Sequence, residues 1–251
     1  MTIAVALLHG FTGSPSSFQE LAAVLEPRGV RVAAPPLLGH GADDSGVRDF
    51  EGEVERLARG LAARDRPMHL LGYSLGGRVA IGLLCRHPEL FSSATLVSTQ
   101  PGLSLAQARL ERRVADEAWC DLLLSQGIAA FVQAWENLPL FATQANLSDD
   151  VLARQRAERL AHDAGGLVRS LKICGLGEMP SYWQELAAVR IPTTIVAGER
   201  DAKFVVIAQQ MREKIRGASL VVVPGAGHNL VLERPAALAG IVMRTVLGGE
   251  R

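Results

Sequence analysis

The run Met68-His69-Leu70-Leu71-Gly72 reads as an apolar strand, and it passes into a helical pattern, Ser74–Arg86, with no loop residues between them. The junction is Gly72-Tyr73-Ser74-Leu75-Gly76-Gly77. A strand that turns directly into a helix forces strained backbone angles on the corner residue, Ser74. Its neighbours two before and two after must be small, and both are Gly. Such a corner restricts the chain to architectures in which helices cross between parallel strands.

The rest of the sequence repeats that unit. Thr2–Leu8, Val30–Ala34, Ala94–Ser98, Pro192–Gly198 and Ser219–Val223 read as further strands. Ser16–Glu26, Asp49–Ala63, Lys203–Arg216 and Pro235–Val246 read as helices. The alternation predicts an α/β protein, with a mostly parallel sheet of about six strands and helices on both faces. From Gln100 to Leu186 the rhythm stops and only helical patterns remain: Leu105–Leu124, Ile128–Glu136 and a long Asp149–Leu171, with Gly165-Gly166 near its end. A segment of that length inside a compact domain carries structure or function. Residues 1–100 and 187–251 are therefore expected to form a core domain, and 101–186 a helical cap.

Composition narrows the class. Hydrophobic residues make up 48% of the chain, enough for a core and too many for a disordered chain. The 26 basic residues balance the 26 acidic ones without clustering, so a nucleic-acid partner is not expected. Cys85, Cys120 and Cys174 are far apart and make neither a disulfide framework nor a metal-ligand pattern. The apolar start, Ile3 to Leu8, is too short for a signal peptide, and no run reaches the ~18 apolar residues of a membrane span. A cytoplasmic protein without stable membrane association is the expectation.

The corner serine is the first candidate for chemistry. Its hydroxyl would project above the sheet at a helix N-terminus, where the dipole favours negative charge. A reactive serine needs a histidine to move the proton and a carboxylate to orient that histidine. Asp201 follows the strand ending at Gly198, and His228 sits in Gly225-Ala226-Gly227-His228 after the strand ending at Val223. Both fall at carboxyl ends of strands, where parallel sheets bind ligands. Glu199 is a nearby competitor, but Asp201 is better placed relative to the strand end. Two backbone amides are needed to hold an oxyanion. Leu75 supplies one, and the turn His9-Gly10-Phe11-Thr12-Gly13 supplies the other, from Phe11. His9 and His40 read as turn and loop residues, and His69 and His87 are given no role. Arg78 lies one helical turn after Ser74 and leans back toward it. A cation there needs an anionic partner, either substrate or an internal carboxylate.

These residues, in this order, resemble the α/β-hydrolase superfamily. Within it the chain is similar to the 2-succinyl-6-hydroxy-2,4-cyclohexadiene-1-carboxylate (SHCHC) synthases of menaquinone biosynthesis. The likeness rests on Leu8-His9-Gly10-Phe11-Thr12-Gly13, Gly72–Ala80, Pro101-Gly102-Leu103, Ala108–Arg113 with Asp116 and Trp119, and Trp135 with Pro139 and Phe141-Ala142. It continues through Gly177–Trp183 and Gly198-Glu199-Arg200-Asp201-Ala202-Lys203-Phe204.

The resemblance implies an α/β-hydrolase fold and a lyase. The enzyme would expel pyruvate from an enolpyruvyl cyclohexene tricarboxylate, with Ser74 as base, His228 and Asp201 assisting, and no metal or organic cofactor. It further implies that Arg78, Arg112 and Arg159 bind the carboxylates of this small-molecule partner, with Arg154 and Arg156 as alternative matches for Arg159. Tyr73 and Trp135 would be pocket walls.

Three features depart from the pattern. The chain starts at the strand bearing His9-Gly10, with no room for the usual preceding hairpin. Ala34-Pro35-Pro36-Leu37-Leu38-Gly39-His40-Gly41 departs from the common Asp-x-Pro-Gly-His-Gly. Gln100 stands where some relatives have His. A carboxylesterase or thioesterase acting on small esters is the alternative, and it would not need the cap arginines. A third reading is a ligand-binding relative without catalysis.

Overall fold

The fold is taken from a computed structural model, which describes residues 3–43, 45–64 and 67–247. Six strands, β1 (Ile3–Leu8), β2 (Val30–Ala33), β3 (Met68–Tyr73), β4 (Phe91–Val97), β5 (Thr193–Gly198) and β6 (Ser219–Val223), form one sheet in the order β2-β1-β3-β4-β5-β6. Every neighbouring pair is parallel. Both faces are covered, as a parallel sheet requires. Alternate residues of a strand feed opposite cores: Ala6 and Leu8 of β1 face one cluster, Val5 and Leu7 the other.

The first cluster packs α2 (Phe50–Ala62), α3 (Leu75–Arg86) and α7 (Ala202–Lys214) on the sheet, through residues such as Leu57, Ile81 and Met211. The second packs α1 (Gln19–Leu25) and α9 (Pro235–Leu247), through Leu21, Leu25, Leu238 and Ile241. Truncating any one of these fully buried leucines to Ala would remove roughly 2–5 kcal/mol of stability. Local chemistry sets the helix starts. Asp49 caps α2 by accepting the Gly52 N–H at 2.8 Å, with Glu51 and Glu53 in the first turn, where the dipole favours acids.

Between β4 and β5 the chain is helical: α4 (Ala106–Glu136), a 3-10 segment Pro139–Asn146, α5 (Asp149–Leu160) and α6 (Ala164–Cys174). This insertion has its own small core of Cys120, Leu123, Phe131, Val132, Leu167 and Leu171. It touches the core where Glu158 of α5 accepts hydrogen bonds from the hydroxyls of Ser14, Ser16 and Ser17, the last two at 3.0 and 2.8 Å. His162 Nε2 donates to the Thr12 carbonyl at 3.2 Å.

Several expected boundaries move. The single long helix Asp149–Leu171 is two, because Asp163 caps a new start by accepting the Gly166 N–H at 2.7 Å. Gly165-Gly166 therefore opens α6 rather than closing its predecessor. Leu105–Leu124 and Ile128–Glu136 merge into α4 across a kink at Gly127, whose φ is 79°. The start of the helix expected over Ser16–Glu26 is a 3-10 turn, Pro15–Phe18. A short helix, α8 (Leu230–Glu233), lies in a stretch that carried no prediction. Among the described residues, no helix is long and apolar enough to cross a membrane.

Candidate active site

The strand order brings the carboxyl ends of β1, β3, β4, β5 and β6 side by side, and each contributes to one site. At the end of β3 the backbone breaks at Ser74, with φ 52° and ψ −109°, and α3 begins at the next residue. The corner is possible because its glycines leave no side chain to collide. A Cβ on Gly76 would lie 2.1 Å from the Leu8 carbonyl oxygen, and one on Gly72 would lie 2.5 Å from that of Gly76. Strain of this kind persists where the surroundings over-determine it.

Ser74 Oγ donates to His228 Nε2 at 3.1 Å, and His228 Nδ1 donates to Asp201 Oδ2 at 2.7 Å. His228 and Asp201 are buried, while Ser74 is partly open to the cavity. Glu199 is engaged elsewhere: its Oε2 accepts the Gly225 N–H at 2.9 Å. The fixed Nδ1–H leaves Nε2 to receive a proton from the serine.

Phe11 and Leu75 both line the cavity beside Ser74, and the amides next to theirs are occupied. Thr12 N donates to His40 Nε2 at 3.1 Å and Gly13 N to the Gly10 carbonyl at 3.1 Å. Ser74 N donates to the Val97 carbonyl and Gly76 N to that of His9. Leu75 opens α3, so its N–H has no partner within the helix. His9 and His40 are structural here. His9 Nε2 accepts the Leu37 N–H at 3.2 Å while its Nδ1 donates to the Gly10 carbonyl. Burial holds His9 down to about 4 and His40 well below the usual histidine range, so both are neutral at pH 7. His69 lies within β3 between Ser93 and Thr95, and His87 pairs with Glu55.

Ser74 opens into a cavity of about 170 Å³ lined by Phe11, Tyr73, Arg78, Arg112, Trp135 and His228, among others. Arg78 donates to the Cys174 carbonyl at 2.6 Å, and among the described residues no carboxylate pairs with it. Burial, and then the charge of Arg112, draws it down to about 10, so it remains a cation at neutral pH. Arg112 donates through Nε to Asp116 Oδ1 at 2.8 Å and keeps a third of its side chain exposed.

Arg159 lies outside this cavity. It is buried against Glu136 at 3.2 Å and the Phe141 ring, and it lines an adjoining cavity of about 400 Å³ that shares Gly10, Phe11, Tyr73 and Phe141 with the first. Arg154 is exposed and paired with Glu20, and Arg156 is exposed and paired with Glu136. Of the three, Arg159 is the buried one. Trp135 packs among Phe11, Trp119, Phe131 and Phe141, and among the described residues its indole N–H has no hydrogen-bond partner.

Comparison with known proteins decides the family. A profile described as the Alpha/beta hydrolase family matches residues 5–241. The chain belongs to the alpha/beta hydrolase family. A Bacillus subtilis (strain 168) protein, provisionally named 2-succinyl-6-hydroxy-2,4-cyclohexadiene-1-carboxylate synthase, is 36% identical over 95% of this chain and 88% of its own length. An Escherichia coli (O1:K1 / APEC) protein bearing that name is 30% identical over 93% of this chain and 90% of its own. The structure of MenH from S. aureus matches with a TM-score of 0.95 at 29% identity, covering all of this chain and 96% of that one. The likeness runs through the helical insertion as well as the alpha/beta hydrolase core.

Within this alpha/beta hydrolase site, several groups had no assigned role in the sequence. The Phe204 ring packs tilted against His228, with centroids 4.6 Å apart, and its position three residues after Asp201 on the first turn of α7 is the available signal. Thr99 Oγ1 donates to the Ser74 carbonyl at 2.9 Å and so braces the corner. Ser98, at the end of β4, has φ 46° and also lines the cavity; nothing in a lone serine announces that.

Proposed function

We propose that this protein eliminates pyruvate from 2-succinyl-5-enolpyruvyl-6-hydroxy-3-cyclohexene-1-carboxylate to give SHCHC, a step of menaquinone biosynthesis. The observation that carries the reading is Arg78. Among the described residues this guanidinium has no carboxylate within ion-pair distance, and it stands one turn from Ser74 and beside Arg112 in the cavity. A neutral ester gives no return for a buried positive charge, whereas a tricarboxylate does. The names borne by the relatives point the same way.

In this reading Ser74 Oγ removes the ring proton next to the succinyl ketone while passing its own proton to His228 Nε2. Asp201 holds Nδ1–H and stabilises the imidazolium. The electron pair moves onto the ketone oxygen, where the Phe11 and Leu75 amides receive the negative charge. It then returns through the ring and breaks the bond to the enolpyruvyl oxygen. The departing enolate takes up the proton and becomes pyruvate, leaving the conjugated diene. No acyl-enzyme forms. Arg78 and Arg112 anchor carboxylates, and Arg159 reaches the same ligand from the adjoining cavity. Tyr73 and Trp135 are walls. Residues 1–100 and 187–251 form the core and 101–186 the cap. The free thiols Cys85, Cys120 and Cys174 suit a reducing compartment, the cytoplasm.

The test is to supply the enolpyruvyl cyclohexene from the preceding enzyme of the pathway and follow pyruvate and diene absorbance together. Spontaneous elimination is subtracted using Ser74→Ala. Stoichiometric, Ser74-dependent formation of both products, with only trace cleavage of p-nitrophenyl acetate, is expected. Brisk ester cleavage without acceleration of the elimination would overturn the reading in favour of an esterase.

A further inference from the structure

The turn that carries His228 is gripped by a carboxylate that the mechanism above does not use. Glu233, at the end of α8, is buried and does not line the Ser74 cavity. Its Oε2 accepts the Gly227 N–H at 2.7 Å and its Oε1 accepts the Asn229 N–H at 3.2 Å. These are the two residues that flank His228. Among the described residues, no cationic side chain pairs with Glu233, so its charge is met by those two amides. A buried carboxylate is expensive to desolvate, and charge-assisted bonds to backbone are the stronger kind. Here they tie down both ends of the peptide segment that presents the imidazole.

The other side of the turn is closed by the helical insertion. A Cβ at Gly227 would stand 2.0 Å from Thr143 Oγ1 and 3.0 Å from Glu233 Oε1. The turn is thus held between Thr143 and Glu233 with no slack, and Asn229 Oδ1 ties it to α8 by accepting the Leu232 N–H at 3.3 Å.

We propose that Glu233 is a positioning residue: it fixes the His228 turn so that Nδ1 meets Asp201 and Nε2 meets Ser74 at the same time. The proposal rests on His228 being the proton carrier. It touches no substrate, so it acts through the histidine alone.

Glu233→Gln tests it, because it keeps the volume and sets an NH₂ against one of the two amide N–H groups. The first readout is the downfield proton resonance of His228 Nδ1–H, which needs no substrate. The second is the split between kcat and KM for pyruvate release. The expected result is a folded protein by circular dichroism, with the Nδ1–H resonance broadened or lost. The kcat should fall about 100-fold, the scale of a small misplacement of a catalytic group, at an unchanged KM. Glu233→Asp keeps the charge but reaches only one amide, and it should lie between Gln and wild type; it also serves if Gln does not fold. A wild-type resonance together with wild-type kcat in Glu233→Gln would overturn the proposal. If the unaltered protein releases no pyruvate, the reaction assignment fails, while the resonance still decides the role of Glu233.

Discussion

Arg112 and Asp116 pair across one turn of α4, Nε to Oδ1 at 2.8 Å, with the carboxylate nearly buried and the guanidinium at the edge of the cavity. Burial raises the Asp116 carboxyl above the usual range, outweighing the attraction of Arg112. Asp116 therefore serves to aim the arginine more than to stabilise the fold. Arg112→Ala should raise KM about 10- to 100-fold by removing a charged partner of the substrate. It should also lower stability by about 1–2 kcal/mol, because Asp116 loses its ion pair. Adding Asp116→Asn should restore the melting temperature but not the KM. Restoration of both would show that Arg112 has no part in binding.

The backbone of Ser74 offers a second test. At φ 52° and ψ −109° an L side chain is strained and a glycine is not. Ser74→Gly and Ser74→Ala both remove the hydroxyl and should both lose at least ~10³-fold in elimination rate. Only Gly relieves the corner, so it should be the more stable of the two by about 1 kcal/mol, after the greater freedom of Gly in the unfolded chain is set against the relief. A Gly variant less stable than the Ala variant by the full ~0.5–1 kcal/mol of glycine's extra unfolded-state freedom would mean that the corner stores no strain.

Acid should unfold this protein steeply. Burial depresses His9 to about 4, His69 to about 3, and His40 well below its usual range. The unfolded chain takes up protons at these sites below about pH 6.5, while the folded chain does not until pH falls past the depressed values. The stability is thus fully present above pH 6.5 and is lost as pH falls, by up to about 1.4 kcal/mol per pH unit for each histidine. Urea melts from pH 7.5 to 4.5 should show that slope, and His69→Gln should reduce it by about one proton's worth. A slope unchanged in the variant would remove His69 from the account.

The sheet could be read from sequence because five of its six strands have Gly or Pro at or within two residues of their ends, and their period differs from that of the helices beside them. The corner at Ser74 was legible for a stricter reason: two glycines at fixed spacing have no other use there. Asp201 and His228 could be placed only through their positions after strands. The break at Asp163 was hidden, because Asp-x-x-Gly inside a charged helical pattern resembles a solvated face until its side chain is seen on Gly166 N. Periodicity also could not choose among Arg154, Arg156 and Arg159, which lie on one helix; burial against the Phe141 ring separates Arg159 from the other two. Glu233 was illegible in principle, since it binds backbone amides, which every residue carries.

Trp119 and Trp135, with ring centroids 5.2 Å apart, share one aromatic cluster beside the cavity, and the remaining tryptophan, Trp183, donates to the Gly102 carbonyl. All three indoles thus belong to the segment inserted between β4 and β5 or to its exit. Fluorescence excited selectively at tryptophan consequently reports the inserted segment through Trp119 and Trp135, and its exit through Trp183, which packs against the core on one face of the sheet. The close indole pair should also give an exciton couplet in circular dichroism. Ligand entry next to Trp135 can then be followed optically on the unlabelled protein, in real time and separately from turnover.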